Sequence, residues 1–152
     1  MPMMQLGGSD FSSGRAKFQD ALSSSSSSRS ARVYVRVAVD GMEEPFLALL
    51  DTGAEFSVLD HEIAEEMGLA AVDGQAMTMS HRHGSTSGKL VRTTLRMLAD
   101  EGEDLLVNAT VFVPEEGWPT GRNFIGYTGF LERVKLGMDP QEHHIYFGGY
   151  EQ

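Results

Sequence analysis

The chain contains no cysteine and no long apolar run. The first absence excludes disulfide bonds, a catalytic thiolate and thiolate metal sites anywhere in its 152 residues. No apolar stretch approaches the roughly 20 residues that span a bilayer, so the sequence predicts no transmembrane helix. The beginning of the chain also lacks the continuous apolar segment of a secretion signal. We therefore expect a cytoplasmic protein.

Basic residues are also scarce. Lysine and arginine total 12 against 22 aspartates and glutamates, which gives a formal net charge of −10. Nucleic acids and anionic membranes are bound by clustered positive charge, which this chain does not have. We therefore expect neither a nucleic-acid partner nor a membrane partner.

The chain divides by composition at about residue 30. Residues 1–30 are rich in serine and glycine and include the run Ser23 to Ser28. Such a segment buries too little apolar surface to offset the entropy that is lost on ordering. We expect residues 1–30 to form a flexible N-terminal arm, within which the weak apolar face of Arg15–Leu22 would allow a short helix. Residues 31–152 are expected to form one folded domain.

From Arg32 onward, short apolar stretches alternate with turn residues. Valine occupies every second position from Val33 to Val39, which predicts a strand with one buried face. Phe46 to Leu50 is apolar throughout and predicts a central strand that is buried on both faces. The same reasoning predicts further strands at 56–59, 77–80, 90–98, 105–113, 135–138 and 144–147, and short helices after residue 60 and over 127–134. Many short strands with one or two short helices indicate a mostly β, barrel-like domain.

The most informative motif is Asp51-Thr52-Gly53, which occurs once. It follows the apolar strand Phe46–Leu50 directly and precedes the short apolar stretch Phe56–Leu59. A carboxylate at the end of a buried strand, on a turn that contains glycine, is well placed for acid–base chemistry. One copy of the motif cannot supply two carboxylates. A site with two carboxylates would therefore need two copies of the chain.

With its flanking segments, this motif resembles the active-site region of retropepsin-like aspartic proteases. Two other segments carry the resemblance: the hairpin from about Met77 to Met97, which resembles the flap, and Phe124-Ile125-Gly126 with the segment behind it, which resembles the closing element. The segment Gly129 to Val134, followed by Asp139-Pro140, is most like the bacterial single-domain members. The resemblance covers residues 32–149 and implies a closed β-barrel with a flap hairpin.

The resemblance also implies an activity and a set of site residues. The chain would be an aspartic endopeptidase that acts on polypeptides without a cofactor, and Asp51 of each subunit of a homodimer would form the catalytic pair. Thr52, Gly53 and Ala54 would support that pair, and Ile125 and Gly126 would form the structural closing element. The flap residues that would contact substrate are Ser80, His81, His83, Gly84 and Ser85.

In one respect the sequence differs from the family pattern. Members of the family often carry arginine or another polar residue after the glycine of the closing element, where it helps to brace the dimer, whereas this chain has Tyr127-Thr128-Gly129. The family dimerises through terminal strands. The candidates for that interface are the C-terminal segment Tyr146–Tyr150 and the strand Arg32–Val39, and the sequence does not choose between them.

Two other functions remain open from the residues. The chain could be a catalytically silent module that uses the same fold for dimerisation or peptide binding. His81 and His83 are two residues apart and would face the same side of a strand, and His143-His144 adds two more imidazoles, so a metal hydrolase is a third reading. Loss of activity in Asp51→Asn favours a protease, indifference to that change favours a binding module, and loss on chelation favours a metal enzyme.

Overall fold

A computed structural model describes residues 4–20, 32–116 and 122–150. The chain forms mainly short strands. In chain order they are β1 Gln5–Leu6, β2 Ser9–Asp10, β3 Gly14–Lys17, β4 Tyr34–Val39, β5 Phe46–Leu50, β6 Ser57–Val58, β7 Gln75–His81, β8 Gly84–Met97, β9 Glu101–Gly102, β10 Leu105–Pro114, β11 Asn123–Ile125, β12 Val134–Asp139 and β13 His144–Gly149. The helices are α1 His61–Glu66 and the short 3₁₀ segments Leu69–Ala71 and Leu131–Arg133.

Six strands close into a barrel. The order of neighbours is β10-β6-β11-β5-β4-β8, and β8 pairs back onto β10 along residues 88–97 and 105–114. The closure leaves β7 as an additional strand, and within the described ranges its one strand partner is β8. The predicted fold class, a mostly β closed barrel with short helices and a hairpin, is confirmed.

The central strand of this barrel is β5, which lies between β4 and β11. Phe46, Ala48 and Leu49 are buried, as its uniformly apolar sequence predicts. By contrast, β4 is more buried than its alternation suggests, because Tyr34 and Ala38 are covered as well as the valines. Tyr34 exchanges backbone hydrogen bonds with Gln19, so a segment from the N-terminal region covers part of this strand.

A second sheet has the strand order β12-β13-β3-β9. The prediction of a flexible arm over residues 1–30 is therefore wrong for residues 14–17, which form β3 instead of the suggested helix. Burial of Ala16 favours the strand, because its side chain packs in the same core as the barrel valines. The close approach of Gly14 to the backbone of Glu103 also favours this placement. The serine run lies outside the described residues.

Charged groups attach β3 to its neighbours. The Arg15 guanidinium lies 2.8 Å from Glu101 Oε2 and donates a hydrogen bond of 3.1 Å to the Tyr146 hydroxyl. The hydrogen bond from Arg15 lowers the pKa of Glu101 below its ordinary value, and the same partners raise the pKa of Arg15 further. These contacts are at the surface, so each contributes little to the stability of the fold.

The helix expected after residue 60 is present as α1, and Gly68 follows it with φ 75°. The prediction of a second helix over residues 127–134 is wrong. The structure has only the 3₁₀ segment Leu131–Arg133 in this range, and Val134 is the first residue of β12. Gly129, with φ 81°, interrupts helical geometry, and the residues before it bond to another loop. No helix within the described ranges has the length and apolarity needed to cross a membrane.

Candidate active site

Asp51 stands at the end of β5, at the mouth of the barrel. Its N–H donates to the Ile125 carbonyl oxygen over 2.9 Å, and its carbonyl oxygen accepts from the Ala54 N–H over 3.1 Å. Its carboxylate oxygen Oδ1 accepts a hydrogen bond of 2.9 Å from the Gly53 N–H. The turn therefore fixes both the backbone and the carboxylate of this residue.

The segment after β11 holds the Asp51 loop from the other side. The Gly126 N–H donates to the buried Ser57 Oγ over 2.9 Å, the Tyr127 N–H to the Ala54 carbonyl oxygen over 2.9 Å, and the Thr128 N–H to the Glu55 carbonyl oxygen over 2.7 Å. Three successive residues of one segment are thus bonded to the loop after Asp51 and to the first residue of β6. This is an arrangement of fixed backbone groups that does not depend on long side chains.

The space at position 126 is too small for any residue with a β-carbon, so glycine is required there. A β-carbon placed there would lie 2.4 Å from both the carbonyl carbon and the carbonyl oxygen of Phe56. Because these are backbone atoms, no rotation of a side chain can relieve the contact. The proposed structural role of the Ile125-Gly126 pair has this geometric basis, and Ile125 itself is fully buried.

A cavity of about 560 Å³ opens beside Asp51, between its loop and the hairpin of β7 and β8. Its lining comprises Asp51, Gly53, Ala54, Glu55, Phe56, Val58, Met77, Thr78, Met79, Ser80, His81 and Phe124. Several of these side chains belong to a small apolar cluster with Phe112 and Leu90 that is separate from the main core. The cavity therefore combines an apolar wall with one fixed catalytic candidate.

The hairpin over this cavity, which we call the flap, is formed by β7 and the first half of β8. Pairing continues to His81 opposite Gly84, so the turn contains only Arg82 and His83 and is much shorter than the interval between the predicted strands at 77–80 and 90–98. No residue of β7 is fully buried, and among the residues that the structure describes β7 has a hydrogen-bonded neighbour on one side only. One edge of the flap is therefore available to another extended chain.

His81 is bonded within the flap. Its Nδ1 accepts a hydrogen bond of 3.1 Å from the His83 N–H, and its Nε2 lies 2.7 Å from the Thr86 hydroxyl oxygen. Since Nδ1 is an acceptor, the proton of a neutral ring is on Nε2, which then donates to Thr86. Both ring nitrogens are therefore used in holding the turn.

The structure brings together some of the predicted site residues and separates others. Asp51, Gly53, Ala54, Ser80 and His81 line one cavity, whereas His83, Gly84 and Ser85 lie beyond it at the end of the flap. Thr52 is exposed on the same loop as Asp51 but does not line the cavity.

Sequence reasoning did not assign Glu55, Phe56, Val58 and Phe124 to the site. A signal for the first three existed, because they follow the motif directly and the apolar pair alternates around Ser57. Phe124 is brought to the cavity by the parallel pairing of β11 with β5, which no local pattern reveals. Met77 and Met79 lie on the underside of the flap.

The four histidines considered for a metal site, His81, His83, His143 and His144, lie in two separate regions. The rings of His81 and His83 have centroids 6.2 Å apart, while His143 stacks on Phe18 at 5.4 Å and His144 lies against Tyr146. In the described part of the chain, no group of three or more histidine or carboxylate side chains is placed to hold a metal ion. The described residues therefore give no geometric support to the hypothesis of a metal hydrolase.

Both strands considered for dimerisation are internal. The C-terminal strand β13 lies between β12 and β3, and β4 lies between β5 and β8. Their backbone groups are already paired within one chain, so neither offers a free edge to a second copy along its paired residues. The exposed part of the active-site end is instead the surface with Thr52, Gly53 and Tyr127, whose side chain is 52% exposed.

Comparison with known proteins agrees with this geometry. Residues 35–107 match the model of a family described as aspartyl protease. The fold is similar to that in the crystal structure of a retropepsin-like aspartic protease from Rickettsia conorii, with a TM-score of 0.54, 17% identity, and coverage of 78% of this chain and 91% of that chain. No curated protein matches the chain. The predicted resemblance and the predicted retropepsin-like fold are confirmed.

Proposed function

We propose, from the retropepsin-like fold and the aspartyl protease family match, that this chain is a homodimeric aspartic endopeptidase. The observation that carries the proposal is the position of Asp51, which lies at the mouth of the 560 Å³ cavity beneath the flap with its carboxylate oriented by the Gly53 N–H. The motif is also preceded and followed by the structural elements that the fold requires.

The chemistry needs a second carboxylate, which the partner's copy of the same loop would supply. Two carboxylates a few ångströms apart do not both ionise readily and therefore share one proton, as is typical of aspartic proteases. The ionised group takes a proton from a water molecule while the protonated group donates a hydrogen bond to the scissile carbonyl oxygen. The hydroxide that results adds to the carbonyl carbon, the C–N bond breaks, and the amine leaves with the proton that the carboxylate took from the water. No covalent intermediate with the protein is required.

Other parts of the chain would position the substrate. The flap covers the cavity, and the unpaired edge of β7 offers backbone donors and acceptors to an extended peptide as an additional strand. Thr52 and Tyr127 are exposed beside the Asp51 loop, where a second copy would meet the first. In this arrangement the two loops that carry the catalytic residues are also the centre of the dimer.

The experiment is digestion of a diverse peptide mixture by the wild type, Asp51→Asn and Asp10→Asn, from acid to neutral pH, with mass spectrometry as the readout. Asp10 is an exposed aspartate in β2 and controls for the loss of one carboxylate. We expect the wild type and Asp10→Asn to cleave the same bonds, and Asp51→Asn to cleave none. Absence of cleavage at a concentration where sedimentation shows a dimer would favour the silent binding module instead.

A further inference from the structure

Glu55 is a charged residue of the cavity that the proposed hydrolysis does not use. It lines the cavity together with Asp51 and directly precedes Phe56, which belongs to the apolar wall. Its side chain is exposed, so a bound peptide can reach its carboxylate. Asp51 and Glu55 are the two carboxylates in the described lining of this cavity.

The backbone on either side of Glu55 is fixed. The Glu55 carbonyl oxygen accepts a 2.7 Å hydrogen bond from the Thr128 N–H, and Phe56 forms a parallel bridge with the same residue. The preceding Ala54 is bonded to Tyr127 over 2.9 Å. Because this backbone is constrained, binding of a positive charge by the Glu55 carboxylate would cost little backbone entropy, and the charge would be bound at a defined position.

The charge of Glu55 is not neutralised by the neighbouring residues that the structure describes. Other glutamates have cationic neighbours, such as Glu101 with Arg15 and Glu132 with Arg133, but no ion pair is formed by Glu55 in the described ranges. Arg82, the basic residue of the flap turn, lies beyond the part of β7 that lines the cavity. His81 lines the cavity, but its ring nitrogens are bonded to the flap.

The wall next to Glu55 is apolar. Phe56, Val58, Met77, Met79 and Phe124 supply aromatic, aliphatic and thioether surface around the same space. A peptide bound here in an extended conformation would bury one large apolar side chain against this wall. Its residues within two positions of that side chain would then lie close enough to meet Glu55.

We propose that Glu55 determines specificity by binding a basic side chain of the substrate. The preferred polypeptide then carries lysine or arginine within two residues of a large apolar residue. This inference rests on the proposed peptidase function, but it concerns recognition and can be tested without catalysis. The net charge of −10 favours the same class of substrate, because it attracts basic peptides at long range.

The test measures peptide binding by fluorescence anisotropy in the Asp51→Asn background, where no turnover occurs. Three labelled peptides share one sequence with a central leucine and differ only next to it, where they carry lysine, glutamine or glutamate. We expect Asp51→Asn to bind the lysine peptide about two- to fivefold more tightly than the glutamine peptide, as for a partly exposed ion pair, and less so at high salt.

Second-site changes then assign the effect to one residue. Glu55→Gln should abolish the difference between the lysine and glutamine peptides, and Glu55→Lys should make the glutamate peptide the tightest. Glu66→Gln removes an equal charge from an exposed position of α1 outside the cavity and should leave the preference intact. Circular dichroism and sedimentation of each variant establish that fold and dimer are unchanged.

Several outcomes would overturn the inference: no binding of any peptide, equal binding of all three, or a lysine preference that survives Glu55→Gln. Failure of the proposed function is a separate result. Glu55-dependent binding without cleavage by the wild type would retain the recognition site and remove the endopeptidase. Asp51-dependent cleavage with no effect of Glu55 would do the reverse.

Discussion

The Asp51 loop and the flap face each other across one cavity, but they are built differently. The loop and the first residue of β6 accept hydrogen bonds from three successive N–H groups after β11, and Gly126 packs against Phe56 with no space for a β-carbon. The flap strand β7 has no fully buried residue and is paired on one side only. The catalytic candidate therefore lies on the more constrained side of the cavity, and the flap forms the less constrained side.

This contrast has a physical reason. The rate of a reaction falls steeply when the reacting carboxylate is displaced by as little as 1 Å, so the backbone that carries it has to be fixed by many contacts. A cover has to open and close, so it needs few buried contacts and a strand that can separate from the barrel. The predictions below change first the packing behind the Asp51 loop, then the flap, and then a sheet outside the cavity.

The largest effect is expected for Gly126→Ala. The new β-carbon would meet the backbone of Phe56 at 2.4 Å, so the Asp51 loop or the β11 segment has to move. We expect a loss of about 2–4 kcal/mol in unfolding free energy and at least a roughly hundredfold loss of kcat/KM. Urea denaturation and peptide cleavage measure the two quantities.

The control for this change is Gly149→Ala, where the nearest atom to the added β-carbon would be Leu105 Cδ1 at 3.6 Å. That variant should retain both stability and activity. Equal behaviour of the two alanine variants would show that the close packing behind the Asp51 loop has no role in holding it.

An intermediate effect is expected for Met79→Ala on the underside of the flap. Met79 is half-buried and packs with the small apolar cluster that lines the cavity. Truncation should raise KM about three- to tenfold through loss of apolar contact, and lower the unfolding free energy by less than about 1 kcal/mol. Met138→Ala, at an exposed methionine of β12, is the matched control and should change neither. A stability loss as large as that of Gly126→Ala would contradict the description of the flap as weakly attached.

The smallest effect is expected for Glu101→Gln, in the sheet that β3 completes. Arg15 lowers the pKa of Glu101, so ionised Glu101 stabilises the folded state above its unfolded pKa, and this contribution is lost as pH falls through the folded pKa. Thermal unfolding of Glu101→Gln should therefore begin slightly below that of the wild type at pH 7, and the two curves should converge in acid.

Glu103→Gln, an exposed neighbour in the same turn, is the control for that comparison and should follow the wild type at every pH. Cleavage activity should be the same in all three proteins at pH 7, since neither glutamate lines the cavity. A difference that grew toward low pH would reverse the assigned sign of the linkage.

The barrel and the catalytic candidate were predictable from sequence because their signals are local. The uniformly apolar Phe46–Leu50, the Asp51-Thr52-Gly53 turn and the closing Gly126 each stand out within a few residues. The strand pairing near the flap tip was underestimated, because residues such as Ser85 and Ser87 are polar and give no strand pattern although they pair with β7. Pairing with a neighbour decided their conformation and overrode propensity.

The strand β3 and the cavity lining were not predictable in the same way. Residues 14–17 form a strand because β13 and β9 lie on both sides, and both of these strands are more than 80 residues away in the sequence. Their own composition is that of a linker. Phe124 reaches the cavity through a parallel pairing across about 75 residues, and Glu55 gains its importance only from the cavity beside it. Such contacts are set by topology and not by local pattern.

The most direct test of the account is a mixing experiment with the wild type and Asp51→Asn at constant total concentration, after equilibration of subunits. If two chains supply one carboxylate each, only dimers with two wild-type subunits are active, and activity falls as the square of the wild-type fraction. An equal mixture should then retain about a quarter of the wild-type rate. A linear decrease, with about half of the rate at equal mixture, would show that each chain acts alone and would contradict the shared site.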